Sequence, residues 1–154
     1  MRSVRQQMMS GEKLKECVVC DDKLLNTDVY RSYWNQLFKD RVDEAYDSTD
    51  ENGATTMQTI SFDYRFNNLC NFKCRMCSET SSSSFELEKN GTISGRWDAE
   101  DKTFEEVLPY IPMVRHLYFS GGEPLIIDAQ YKILDEVIRL GRQREVTLVY
   151  NSNF

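Results

Sequence analysis

No stretch of this chain approaches the roughly 20 consecutive apolar residues a helix needs to cross a bilayer, so no membrane role is expected. The N-terminus, Met1–Gln7, lacks the apolar core of a secretory signal, which makes a cytoplasmic location the default. Positive charge is also short. The formal net charge of −6 leaves no overall field to draw the protein onto nucleic acid, and only a local basic groove would keep that substrate class open. Histidine is nearly absent, since His116 stands alone and far along the chain. The 5 cysteines are too few and too uneven for a disulfide framework; grouped as 17/20 and 70/74/77, they favour metal ligation in a reducing compartment. What remains is 154 residues, 40% hydrophobic and 29% charged, the make-up of an ordinary globular domain.

The densest chemistry lies in Cys70-Asn71-Phe72-Lys73-Cys74-Arg75-Met76-Cys77. Just before it, Ile60, Phe62, Tyr64 and Phe66 alternate with Ser61, Asp63 and Arg65, which predicts a β-strand over 57–66. The cysteines then occupy the loop leaving its C-terminal end. Ser81–Ser84 offer N-cap hydroxyls for a helix through Phe85–Lys89, closed by Asn90-Gly91. Thiolates are the usual holders of iron–sulfur clusters. Three of them on a four-iron cubane leave one iron open, which suits catalysis. A structural zinc ion wants four protein ligands, and no histidine or fourth cysteine lies nearby in sequence. The zinc alternative is a non-enzymatic module closing on Cys17, Cys20, Cys74 and Cys77.

Elsewhere, residues 1–22 start as mixed polar sequence and reach Cys17-Val18-Val19-Cys20, the spacing of half a metal site, with a thioredoxin-like redox pair or two incidental thiols as the alternatives. From Asn26 or Thr27 to Tyr46 the pattern is helical. Val29, Tyr33, Leu37, Tyr30, Trp34 and Phe38 make a wide aromatic stripe, which predicts core packing rather than cofactor contact. Asp47–Thr56 reads as a polar linker. After the cysteine loop and its helix, Thr92–Trp97 connects to a second helix opened by Asp98–Asp101. There Phe104, Val107 and Leu108 face inward and Pro109 stops the helix. Val114–Phe119 is a second strand, delivering Ser120-Gly121-Gly122-Glu123-Pro124. A helix from Asp128 puts Ile127, Tyr131, Leu134 and Ile138 on one stripe with Gly141 as its stop. Val146–Tyr150 is a third strand, followed by Asn151-Ser152-Asn153.

This order predicts an α/β fold: a partial parallel (β/α) barrel of about three βα units over 57–154, preceded by a helical, cysteine-containing segment over 1–50. Ligands of such folds gather at the C-terminal strand ends, where Cys70–Cys77, Ser120–Pro124 and Asn151–Asn153 all lie. Gly121 and Gly122 let the backbone approach a ligand closely, and Glu123 before Pro124 is biased to an extended shape; a plain strand-to-helix turn is the alternative. Asn151, Ser152 and Asn153 either hydrogen-bond a cofactor or substrate, or simply form a turn. Ser61, Asp63 and Arg65 either line a substrate cavity or pair among themselves and with the next strand. His116 flanks the second strand and carries no catalytic role.

The C-x-x-x-C-x-x-C after one strand and the Gly-Gly-Glu-Pro after the next resemble the radical S-adenosylmethionine superfamily. The resemblance implies that Cys70, Cys74 and Cys77 hold a 4Fe–4S cluster whose open iron binds S-adenosylmethionine. It implies that Gly121, Gly122, Glu123 and Pro124 contact the cofactor's methionine amino group, with Asn151, Ser152 and Asn153 as further cofactor contacts. Met76 occupies a place often aromatic and near the adenine, where a polarizable thioether also packs. Reductive cleavage would yield a 5′-deoxyadenosyl radical for hydrogen abstraction, with an electron donor such as flavodoxin or ferredoxin. Met8-Met9-Ser10-Gly11, Cys17-Val18-Val19-Cys20 and the Tyr30–Phe38 helix resemble the segment before the barrel in twitch-domain members. That implies an auxiliary iron–sulfur site at Cys17 and Cys20 and a peptide or protein substrate. A complete eight-unit barrel takes about 250 residues, and the family core has six βα units. Three strands, with no counterpart of the fourth and fifth that hold ribose and adenine, predict a fragment truncated at both ends.

Overall fold

A stack of aromatic rings sets the architecture. Phe62, Tyr64 and Phe66 leave the first strand on one side, with ring centroids 5.4 and 5.3 Å apart along the row. Phe119 on the next strand stacks on Tyr64 at 5.9 Å and meets Tyr150 of the third at 5.2 Å. Period-two alternation puts all of these on one sheet face, and the ring contacts add to the burial that holds it.

The computed structural model describes residues 2–12, 14, 15, 29–94 and 100–153. The chain divides into two compact units, Met1–Met57 and Gln58–Phe154. In the first, α1 (Arg2–Met9), α2 (Val29–Leu37) and α3 (Val42–Asp47) are joined in part by a 3-10 turn at Lys39–Arg41. The second contains β1 (Ser61–Arg65), α4 (Ser83–Asn90), α5 (Glu100–Val107), a 3-10 segment (Leu108–Met113), β2 (His116–Ser120), a 3-10 turn (Pro124–Ile126), α6 (Asp128–Arg139) and β3 (Thr147–Tyr150). The sheet order is β1-β2-β3, both pairs parallel, with Ser61 opposite His116 and His116 opposite Thr147. The fold is therefore α/β, with the strand–helix alternation of a partial barrel. Among the described residues no helix is long and apolar enough to cross a membrane.

The core of the second unit lies on the aromatic face. Leu117 and Phe119 are fully buried there, with Ile111, Val114, Ile127, Ile133 and Val137 from the covering segments. At about 25 cal/mol per Å² of apolar surface, these rings and aliphatic groups dominate the unit's stability. The opposite face is polar: Ser61, Asp63 and Arg65 on β1, and His116, Tyr118 and Ser120 on β2.

Several expectations need correction. β1 is shorter than 57–66, because the backbone before Ser61 has no ladder beyond Ile60, whose carbonyl accepts from Arg115 and His116. In α6 the buried face is Ala129, Gln130, Ile133 and Val137, while Tyr131 and Ile138 are 45% and 60% exposed. Ile127 is buried but extended, ahead of the helix. Phasing the stripe from it rotates the expected face away from the true one. The helix expected up to Tyr46 breaks at Phe38, and Tyr33, Trp34 and Leu37 are exposed rather than in a core; Trp34 instead stacks on Phe38 at 5.8 Å. Asn26–Asp28 and Asp98 lie outside the described residues. The stretch 47–56 is a structured turn, not a linker: Asp50 Oδ1 accepts the N–H groups of Asn52 and Ala54, and Thr49 bridges Thr55. Such Asx chemistry is what Asp-x-Asn-Gly composition supports.

Candidate cofactor and metal site

The backbone turns as soon as it leaves β1. Asn67 Oδ1 accepts the Leu69 N–H at 2.9 Å, closing an Asx turn. The neighbouring Asn68 is buried, and its side-chain amide donates to Glu86 Oε2 at 2.8 Å and to the Glu79 carbonyl at 3.1 Å. The cysteine loop is thus held from behind by α4.

The serines expected to cap α4 act differently. Ser82 is the N-cap residue in extended conformation, yet makes no side-chain capping bond. Its Oγ donates to the Phe72 carbonyl at 2.8 Å, Ser84 Oγ donates to the Cys70 carbonyl at 2.7 Å, and the Cys70 N–H donates to Ser83 Oγ at 3.0 Å. An irregular loop has no ladder to satisfy its backbone groups, and the hydroxyls of α4 take that place.

The Gly-Gly turn after β2 supports the loop from the other side. Gly122 N–H donates to the Asn67 carbonyl at 2.8 Å, and Glu123 N–H to the Leu69 carbonyl at 2.7 Å. A Cβ on Gly122 would lie 2.0 Å from Leu69 O, and Gly121, at φ 106°, has Asn67 O 2.9 Å from where its Cβ would be. The close approach expected toward a ligand is here made to the backbone of the cysteine loop. The two motifs of the sequence are one joined structure.

Glu123 extends that junction to β3. Its carboxylate, only 3% exposed as a residue, accepts Leu125 N–H at 3.1 Å and Ser152 Oγ at 2.8 Å on Oε1, and Asn153 N–H at 2.8 Å on Oε2. Those bonds offset the cost of burying the group. Asn153 Nδ2 in turn donates to Asn71 Oδ1 at 3.1 Å and to Cys70 Sγ at 3.8 Å. Asn151 is exposed, its N–H bonded to the Phe119 carbonyl at 2.9 Å. The three strand-end loops therefore meet as topology predicted, and what brings them together is a buried carboxylate.

Cys70, Cys74 and Cys77 are free thiols, each partly exposed. Cys70 Sγ also accepts the Phe72 N–H at 3.4 Å. The Cys77 thiol is pushed up from its ordinary pKa by burial, then by the charges of Cys74 and Cys70 and a hydrogen bond with Cys74. The charges of Cys74 and Cys70 thus oppose ionisation of the Cys77 thiol, a cost that a coordinated cation removes. Among the described residues, no three His, Cys, Asp or Glu side chains are grouped round a single metal ion. The donor set fits a cluster that takes each thiolate on a different iron. Met76 projects from this loop at 94% exposure, and Phe72 is half exposed. Cys17 and Cys20 lie outside the described residues.

On the open sheet face, Asp63 accepts Arg65 Nε and Nη2 at 3.3 and 3.1 Å and Ser120 Oγ at 3.3 Å. His116, its pKa lowered by burial, shares a hydrogen bond of 3.2 Å with Ser61 Oγ. Residues that sequence reasoning missed are Asn67, Asn68, Asn71 and Glu86. An Asn-Asn pair at a strand end is a turn signal, but nothing in the sequence pointed to Glu86.

Residues 64–153 match the model of the Radical SAM superfamily. No solved structure matches the chain.

Proposed function

Because the chain belongs to the Radical SAM superfamily, we propose that Cys70, Cys74 and Cys77 hold a 4Fe–4S cluster with which it cleaves S-adenosylmethionine. Held by Cys70, Cys74 and Cys77, such a cluster would supply one-electron reductive chemistry toward S-adenosylmethionine and, through it, hydrogen abstraction from substrate. The observation that carries the reading is the pair of backbone bonds from Gly122 and Glu123 to Asn67 and Leu69. They join the thiol loop to the Gly-Gly-Glu-Pro turn at the C-terminal end of a parallel sheet, where ligands of such folds bind. In this arrangement the serines of α4 fix the loop, Gly121–Pro124 border the cofactor's methionine end, and Met76 lies free to cover its adenine. Asn151 is exposed at the same edge as a further cofactor contact, alongside Ser152 and Asn153.

A low-potential donor of the flavodoxin or ferredoxin kind supplies the electron, and a peptide or protein is the substrate class. Cys17 and Cys20 serve a second iron–sulfur site, as in twitch-domain relatives, and the second unit is the cluster-binding part of the core. The test is anaerobic reconstitution with iron and sulfide, followed by absorption and spin-resonance spectra with and without S-adenosylmethionine. The expected result is a cubane spectrum that changes on adding the cofactor and is lost in Cys70→Ala. Tight stoichiometric zinc with no cluster uptake, undisturbed by Cys70→Ala, would overturn the proposal in favour of the four-cysteine zinc module. Iron content that falls in Cys17→Ala while the first spectrum persists checks the second site.

A further inference from the structure

Cys70 is distinguished from its two companions. The Cys77 backbone N–H donates to the Cys74 carbonyl at 2.9 Å, whereas the Cys70 sulfur itself faces two N–H donors, the Phe72 backbone and the Asn153 side chain. Asn153 is held at both ends. Its backbone N–H is fixed on Glu123 Oε2, and the Nδ2 that reaches the sulfur also reaches Asn71 Oδ1. Glu123 is itself fixed by Leu125 and Ser152. A surface asparagine with this many anchors is not a free turn residue.

On the reading that Cys70 ligates the cluster, we infer that Asn153 is a tuning residue for that ligand and Glu123 the positioning residue that holds it. An N–H donor on a ligating sulfur stabilises the extra negative charge that arrives on reduction, so it raises the reduction potential. The Gly-Gly-Glu-Pro turn thereby acquires a task beyond bordering a ligand: its carboxylate sets how easily the centre accepts an electron. Ser152 and Asn153 then act on the protein's own groups as well as on the cofactor.

The experiment is a potentiometric titration of the reconstituted protein, followed by spin resonance, for wild type, Asn153→Asp, Asn153→Ala and Glu123→Gln. Asn153→Asp keeps the shape but replaces the donor with a negative charge, so Asn153→Ala, which adds no charge, reports the loss of the donor by itself. The asparagine variants should lower the reduction equilibrium constant by up to about tenfold, about 59 mV for a one-electron couple. Glu123→Gln should shift it in the same direction by less. Variants that load the cluster and titrate at the wild-type midpoint overturn the inference while leaving the cluster assignment standing. A wild-type chain that takes up no cluster removes both. Should the variants fail to fold, wild-type protein labelled with ¹⁵N-asparagine decides the matter. Hyperfine coupling of an asparagine nitrogen to the reduced centre is expected, and no such coupling overturns the inference.

Discussion

The loop leaving β1 and the turn leaving β2 lie side by side and are built in opposite ways. The turn encloses Glu123 and Pro124 beneath half-buried glycines, and it is shaped by backbone bonds and by the missing side chains of Gly121 and Gly122. The loop carries partly exposed thiols, a fully projecting Met76, and backbone carbonyls held by Ser82 and by Ser84 of α4. A group that must receive a cofactor has to stay accessible, so its stiffness is supplied from behind by neighbours. Preorganisation of that kind lowers the ordering cost that binding would otherwise carry.

The sharpest way to break the contrast is to give the turn a side chain. In Gly122→Ala the new Cβ meets the Leu69 carbonyl and Asn68 backbone, which cannot rotate away as a side chain can. Overpacking plus loss of the two inter-loop bonds should cost about 3 kcal/mol or more, read by denaturant unfolding. Gly91→Ala is the control: its φ of 70° is strained for alanine but nothing lies within 4 Å, so about 1–2 kcal/mol is expected. Equal losses at the two glycines would mean that crowding between the loops is not what Gly122 relieves.

Next in size is Glu123→Ala, which strands the donors of Leu125, Ser152 and Asn153. A loss of about 2 kcal/mol is expected, with faster amide exchange at Asn153 as the local signature. Unchanged exchange there would show that the loop after β3 does not depend on the carboxylate.

How much of this could be read in advance follows from which contacts leave a periodic trace. Phe62, Tyr64 and Phe66 were legible because a half-buried strand imposes a period of two, and the meeting of three loops followed from parallel topology. The face of α6 was misjudged because Ile127 carries a core role without being helical. The break at Phe38, and the exposure of Tyr33 and Trp34, had no signal in composition. The serine hydroxyls were read as local caps, yet they bond to carbonyls 10–14 residues earlier. Bonds between irregular segments have no repeat for a sequence to display; Glu86 was hidden for that reason, and Glu123 was singled out without its bonds to Ser152 and Asn153.

The smallest effects belong to the exposed loop and to the buried Ser82 that holds it from behind. Ser82→Ala should cost about 1 kcal/mol, the worth of one net hydrogen bond, because its Oγ alone is lost from the Phe72 carbonyl. Met76→Ala should change stability by no more than about 0.5 kcal/mol, as surface substitutions do, since the side chain is 94% exposed. That neutrality makes Met76 informative. A residue that contributes nothing to the fold can only register through what it touches when a ligand arrives. A weakened affinity of the reconstituted protein for S-adenosylmethionine, measured by the concentration dependence of the spectral change, would assign Met76 to the cofactor's adenine. An affinity equal to wild type would leave the exposed thioether without a place in the site and confine the cofactor's contacts to the Gly-Gly-Glu-Pro turn and the loop after β3.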